Sequence, residues 1–99
     1  MALEVVNVNS CVNLTSLAGL SGLKNLKTVD ASHTAVESVE HLAGCVALAS
    51  LDVRFCKSLT SLSCLDGLPN LRLLKAVGTC VPPDTQLCHC PKLEYLVLE

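Results

Sequence analysis

Cysteines are the groups in this chain whose chemistry is easiest to name, since seven of its 99 residues are cysteine. The run Cys88-His89-Cys90 combines thiols with an imidazole, and these groups are good zinc ligands. A structural zinc site, however, needs a second pair of ligands at loop spacing, and only Cys80 lies near this run in the sequence. We therefore predict that the chain binds no metal ion and needs no other cofactor.

A second set of reactive groups consists of Asp30, Ser32, His33 and Asp52. On paper they form a nucleophile, a base and a group that orients the base, because they would fall on neighbouring strands only about 4.8 Å apart. Nothing in the sequence supplies a deep pocket, an oxyanion-donating loop or a glycine-rich phosphate cradle. We therefore predict that the chain is not an enzyme.

The composition argues against nucleic-acid and membrane partners. Hydrophobic residues make up 51% of the chain, the net charge is −2, and the seven basic residues are scattered, so no basic patch fits a phosphate backbone. The longest weakly polar stretch, residues 42–51, is far shorter than the roughly 20 residues that a membrane-spanning helix needs. Only Phe55 and Tyr95 are aromatic, which indicates a core of stacked aliphatic layers.

The cysteine count and the first residues predict a cytoplasmic location. Seven is an odd number, and the cysteines lie within a regular hydrophobic pattern, so we expect free thiols in a reducing compartment. Residues 1–4 lack the basic start and the continuous apolar run of a secretory signal.

An internal repeat organises the whole chain. Its boundaries give repeats 3–25, 26–47, 48–70 and 71–92, followed by a partial repeat 93–99. The fourth and sixth places of each repeat are apolar, and this spacing of two predicts one short strand with those side chains facing inward. After a turn the apolar spacing becomes three, and glycines interrupt it, which favours coil or 3₁₀ structure over a long α-helix.

The segment 48–56, Leu-Ala-Ser-Leu-Asp-Val-Arg-Phe-Cys, fits the pattern L-x-x-L-x-L-x-x-N/C, so the chain resembles the leucine-rich repeat family along its whole length. The resemblance implies a single α/β domain over 1–99. It would be a right-handed leucine-rich repeat solenoid with a concave parallel sheet of about five short strands and convex coil or 3₁₀ segments. The cysteine-containing repeats of 22–23 residues also resemble those of trypanosomatid leucine-rich repeat proteins.

The ninth place of each repeat alternates between cysteine and threonine: Cys11, Thr34, Cys56, Thr79. In the family, this residue hydrogen-bonds the turn backbone between neighbouring repeats. Repeats with cysteine are one residue longer than repeats with threonine, and equivalent residues recur 45 positions apart, which indicates duplication of a repeat pair. Four cysteines fall at inner places and are expected to be buried, whereas Cys64 and Cys88 fall on the outer return; the inner four are Cys11, Cys45, Cys56 and Cys90.

The third, fifth and seventh places of each repeat are predicted to face the concave side, and parallel strands stack them into columns. Phe55 and His33 occupy the eighth place, where Phe55 either contacts a partner or fills the corner of the core. Two carboxylates in adjacent strands would also attract a cationic group. The residues expected to bind a partner are Asp30, Asp52, Arg54, Phe55, His33, Lys75 and Tyr95.

The resemblance implies a protein–protein interaction scaffold that binds a protein partner through the concave face. The alternative is a structural spacer or a regulatory segment of a larger multidomain protein. Neither end has the polar cover that solenoid ends normally need, so we expect the chain to be a piece of a longer array that can self-associate through uncapped ends.

Overall fold

The computed structural model describes residues 4–62, 65, 67–81 and 90–97. It contains one sheet of five parallel strands arranged in chain order. This architecture confirms the predicted solenoid, because each strand begins at the third place of its repeat. The strands are β1 (Val5–Asn7), β2 (Thr28–Asp30), β3 (Ser50–Asp52), β4 (Leu73–Lys75) and β5 (Tyr95–Val97).

The strands pair without any shift of register. Asp30 lies beside Asn7 on one side and beside Asp52 on the other, and Lys75 continues the same column. The columns predicted for the third and fifth places are therefore confirmed.

The core lies between the sheet and the returning segments and consists of equivalent residues stacked repeat upon repeat. Val29, Leu51 and Leu74 of the central strands are almost fully buried, as are Leu42 and Leu62 of the returning segments. Burying one such side chain contributes about 2 kcal/mol, and neighbouring repeats share each layer. This packing fixes the backbone positions of the outward residues between them. It does not constrain the side chains that these outward residues carry.

The convex side is built mainly of turns and coil. Its described 3₁₀ helices are Ala18–Leu20 and Glu40–Leu42, each one turn long. Gly22 and Gly67 have φ angles of 78° and 100°, so glycine lets the return turn sharply at these places. Among the described residues, no helix has the length and hydrophobicity to cross a membrane.

Threonine and cysteine at the ninth place close the turn in different ways. Thr34 donates its hydroxyl to the carbonyl of Ala31 (2.9 Å) and accepts the N–H of Val36 (3.4 Å). In a cysteine repeat the backbone closes the turn instead, with the N–H of Leu59 donating to the carbonyl of Cys56 (3.0 Å). The threonine hydroxyl thus takes the place of two backbone hydrogen bonds of a cysteine repeat, since there the N–H of Cys56 also donates to the carbonyl of Val53 (3.3 Å). These repeats are the ones that are one residue shorter.

Three cysteines are buried and hydrogen-bond the preceding repeat, as the inner places predict. Each donates its thiol to a carbonyl 25 residues earlier: Cys45 to Leu20 (3.3 Å), Cys56 to Ala31 (3.0 Å), Cys90 to Leu65 (3.3 Å). These bonds link repeats along the solenoid axis.

Cys11 was predicted to be buried, and this is wrong: it is exposed. Its place in the repeat is the inner one, but within the described residues no earlier repeat stacks on it. Cys64, Cys88, His89, Asp84 and the ends of the chain lie outside the described residues.

Candidate functional site

Asp52 and Arg54 form the best-defined charged contact on the concave face. The Arg54 guanidinium contacts both carboxylate oxygens of Asp52, with Nε at 3.0 and 3.1 Å and Nη2 at 2.9 Å from Oδ2. The carboxylate raises the pKa of the Arg54 guanidinium above its ordinary value. A partly exposed pair of this kind contributes at most about 1 kcal/mol to stability, so its main effect is to hold Arg54 in one orientation.

Asp30, in the next strand, is held by several donors. Its Oδ1 accepts the Ser32 hydroxyl (2.8 Å) and the Ser32 N–H (3.1 Å), and its Oδ2 lies 3.5 Å from the Asn9 amide. Partial burial raises the pKa of Asp30, but the bonds from Ser32 and Asn9 and the charge of Arg54 outweigh burial, so the pKa lies below its ordinary value. The cation expected between the two carboxylates is supplied by the chain itself.

The fifth and seventh places carry a repeated turn contact that periodicity alone did not reveal. The side-chain oxygens of Asn7 and Asp52 accept the backbone N–H two residues later, as Asp30 does (3.0 and 3.1 Å). Lys75 occupies the same place in the next repeat and has no acceptor atom. Asp30 and Asp52 therefore shape the strand ends as well as presenting charge.

The backbone at the eighth place is left-handed in every described repeat. Ser10, His33, Phe55 and Gly78 have φ angles of 65°, 58°, 63° and 77°. The sheet hydrogen bonds enforce this geometry, since the His33 N–H donates to the Arg54 carbonyl (2.9 Å) and the Phe55 N–H to the Val77 carbonyl (2.7 Å). Left-handed backbone is costly for side chains such as Phe, so tertiary structure overrides local preference here.

His33 and Phe55 are brought together by this backbone. Their rings stack with centroids 4.7 Å apart and planes inclined by 26°. Phe55 is 42% exposed, so it does not fill the corner of the core, and its contact with a partner stays a prediction. We call this stacked pair, which lies at the carboxyl edge of the sheet, the aromatic shelf.

Ser32 was expected to face the concave side, but it is only 1% exposed, and its hydroxyl donates to Asp30. The imidazole of His33 stacks on Phe55 instead of contacting Ser32. The geometry therefore separates the serine and histidine that could be combined on paper as nucleophile and base.

The remaining predicted residues lie further along the sheet. Lys75 is adjacent to Asp52 in register, and Tyr95 is 63% exposed on β5, beside Leu73. The seven predicted residues thus form a central cluster of Asp30, Asp52, Arg54, His33 and Phe55, flanked by Lys75 and Tyr95.

A depression of about 440 Å³ lies below the aromatic shelf, where the strands turn toward the convex side. We call it the edge depression; its lining includes Val12, His33, Phe55, Lys57 and Ser58. Val12, Lys57 and Ser58 were not predicted to be functional. Val12 and Lys57 share the tenth place of their repeats, two residues after the eighth place, and that spacing was the available signal.

Within the described residues, no group of three or more histidine, cysteine, aspartate or glutamate side chains could hold a metal ion. Of the run Cys88-His89-Cys90, only Cys90 is described, and its thiol is bound to Leu65 in the core. The other two residues of this possible zinc site, Cys88 and His89, lie outside the described part of the chain.

The fold is shared with internalin C2 of Listeria monocytogenes, a leucine-rich repeat protein. Its solved structure aligns with a TM-score of 0.80 and 21% identity, covering 94% of this chain and 40% of the internalin chain. A second internalin of the same bacterium gives a TM-score of 0.48 and 18% identity, covering 96% of this chain and 41% of its own. The chain thus spans about two fifths of the length of either internalin. No protein-family model and no curated protein sequence matches the chain.

Proposed function

We propose that the chain is a protein-interaction module that binds a protein partner through the concave face of its sheet and carries out no catalysis. The observation that supports this proposal most directly is the contrast between an invariant backbone and variable outward side chains. The five strands pair in one register, yet the fifth-place column changes from amide to carboxylate to ammonium to alkyl, in the order Asn7, Asp30, Asp52, Lys75, Val97.

The centre of this surface is preorganised for binding. Arg54 is held by Asp52, and Phe55 is held by His33, so neither side chain must be ordered when a partner arrives. Arginine and aromatic side chains are the types that most often dominate binding energy at protein interfaces. Free thiols, in turn, support a cytoplasmic setting as part of the proposal.

The test begins with affinity capture on the 99-residue chain and continues with the Kd of one purified captured protein. The concave variant is Asp30→Asn with Asp52→Asn, because asparagine keeps the oxygen that accepts the turn N–H while removing the charge. The control is Glu37→Gln with Glu40→Gln, which removes two exposed carboxylates from a returning segment.

We expect the concave variant to weaken binding about tenfold and the control to change it less than about twofold. Circular dichroism confirms that both variants are folded. If the control weakens binding more than the concave variant does, the concave-face proposal is wrong, and a spacer or regulatory segment becomes the better interpretation.

A further inference from the structure

We propose that the edge depression is a second contact site, which binds an acidic segment of a partner protein that carries an apolar side chain between carboxylates. The inference deepens the proposed function and rests on it for the statement that the partner is a protein. It rests on the depression's own lining for the chemistry of the segment.

The large apolar side chains that line the depression are already exposed. Val12 is 67% exposed and Phe55 is 42% exposed, although both are large hydrophobic side chains. Its volume of about 440 Å³ falls within the range of protein binding pockets and admits one side chain with its flanking backbone. An apolar or aromatic side chain placed on the aromatic shelf would cover this exposed surface.

The charge of the lining determines which groups should lie on either side of the bound apolar side chain. Lys57 is the lining residue with a permanent charge, and no carboxylate lines the depression. Among the described residues, the Lys57 ammonium forms no ion pair. Of the two concave carboxylates, Asp52 is paired with Arg54, and neither Asp52 nor Asp30 lines the depression. The edge depression is therefore a locally cationic place on a protein whose net charge is −2, and it complements a carboxylate.

The aromatic shelf is also held in place by contacts within the chain. The His33 and Phe55 N–H groups are held by the sheet ladder, and the two rings are stacked on each other. The exposed hydroxyl of Ser58 lies next to Lys57 and offers a donor for the same carboxylate.

The test uses blocked tripeptides as probes and the isotopically labelled 99-residue chain. Acetyl-Asp-Phe-Asp-amide is titrated while amide NMR shifts are followed, and the neutral Asn-Phe-Asn and basic Lys-Phe-Lys analogues serve as controls. A short peptide on an open site should bind with a Kd in the millimolar range. We expect the acidic peptide to shift the amides of His33, Phe55, Lys57 and Ser58, and the basic peptide to leave them unchanged.

Two variants make the result specific. Lys57→Glu should weaken the binding of the acidic peptide about fivefold or more, because it replaces attraction with repulsion. Lys24→Glu changes an exposed lysine elsewhere and should have little effect on this affinity. Phe55→Asn removes the ring while keeping a residue that tolerates left-handed backbone, and it should also weaken the binding of the acidic peptide.

Equal shifts from the acidic and neutral peptides, or equal effects of Lys57→Glu and Lys24→Glu, would overturn the proposal. Because the peptide contacts are mapped on the isolated chain, this outcome is independent of whether a full protein partner needs the concave carboxylates.

Discussion

The ring of Phe55 lies directly over Gly78, so closely that a Cβ atom on Gly78 would come within 2.6 Å of Phe55 Cδ1 and 3.4 Å of Phe55 Cα. Gly78 is the eighth-place residue of the next repeat, and its φ angle is 77°. Glycine here both adopts left-handed backbone without strain and leaves room for the ring that stacks on His33.

We therefore expect Gly78→Ala to lower the free energy of unfolding by about 1–2 kcal/mol from backbone strain alone, with a further loss from displacement of Phe55. Gly19→Ala is the control, because a Cβ atom there has no neighbour within 4 Å and the φ angle is not positive. Its effect should stay within about 0.5 kcal/mol in urea unfolding. In a Phe55→Asn background, Gly78→Ala should lower the free energy of unfolding by a smaller amount. An equal loss in both backgrounds would show that the contact with the Phe55 ring contributes nothing.

Stability should depend on pH through Asp30. Burial raises its pKa, but the bonds from Ser32 and Asn9 and the charge of Arg54 more than reverse this, so the folded pKa is lower than the unfolded one. A lowered folded pKa contributes stability above the unfolded value of about 4, and that contribution is lost as the pH falls through the folded pKa. We expect the unfolding free energy to decline below about pH 4.5, and Asp30→Asn to decline less.

Carboxyl NMR titration of Asp30 tests the same contact at the residue itself. Arg54→Gln removes a nearby positive charge and should move the Asp30 pKa upward, toward its ordinary value. Glu37→Gln, on the returning segment, should leave the Asp30 titration where it was. An Asp30 pKa that does not respond to Arg54→Gln would mean that the guanidinium lies too far from this carboxylate to act on it.

The five thiols in the described part of the chain should fall into two classes of reactivity. Cys11 and Cys80 are exposed, whereas Cys45, Cys56 and Cys90 are buried, and burial raises the pKa of the Cys45 thiol. Since the thiolate is the reactive form, a brief iodoacetamide pulse at pH 8 should label Cys11 and Cys80 and spare the other three until the chain is unfolded. Mass spectrometry of the digested protein identifies the labelled cysteines. Early labelling of Cys56 would contradict its burial in the core.

The sequence was sufficient for the strands and their columns because packing constrains the inward residues. Leu51 and Leu74 recur at one period, and a strand between such residues has only one register that buries both. The same reasoning placed Asp30, Asp52 and Lys75 in one column. It could not place Ser32 on Asp30, since a rotamer choice at a short polar side chain leaves no trace in hydrophobic periodicity.

The left-handed eighth place could not be predicted for a related reason. A histidine and a phenylalanine carry no local signal for positive φ, and only Gly78 hints at it. The ladder bonds from His33 and Phe55 to the next repeat enforce it, so the edge depression is a product of tertiary structure.

The two outer strands lead to the last prediction, that the 99-residue chain in isolation associates head to tail. Within the described residues, β1 and β5 each have one strand neighbour, and unpaired strand edges invite a further strand. Val5 on β1 is 62% exposed and Tyr95 on β5 is 63% exposed, and both belong to the third-place column. A second copy placed with its β1 beside β5 would set Val5 against Tyr95 and continue that column.

Such a contact does not close on itself, so the average mass should rise steadily with concentration in sedimentation velocity experiments. Val5→Lys should suppress this rise, because a lysine on an edge strand resists pairing. Val46→Lys changes another exposed valine (47%) that lies outside the strands, and it should leave the rise intact. A constant monomer mass at every concentration would show that the chain does not self-associate. Equal suppression by both variants would show that the chain associates through a surface other than the edges of β1 and β5.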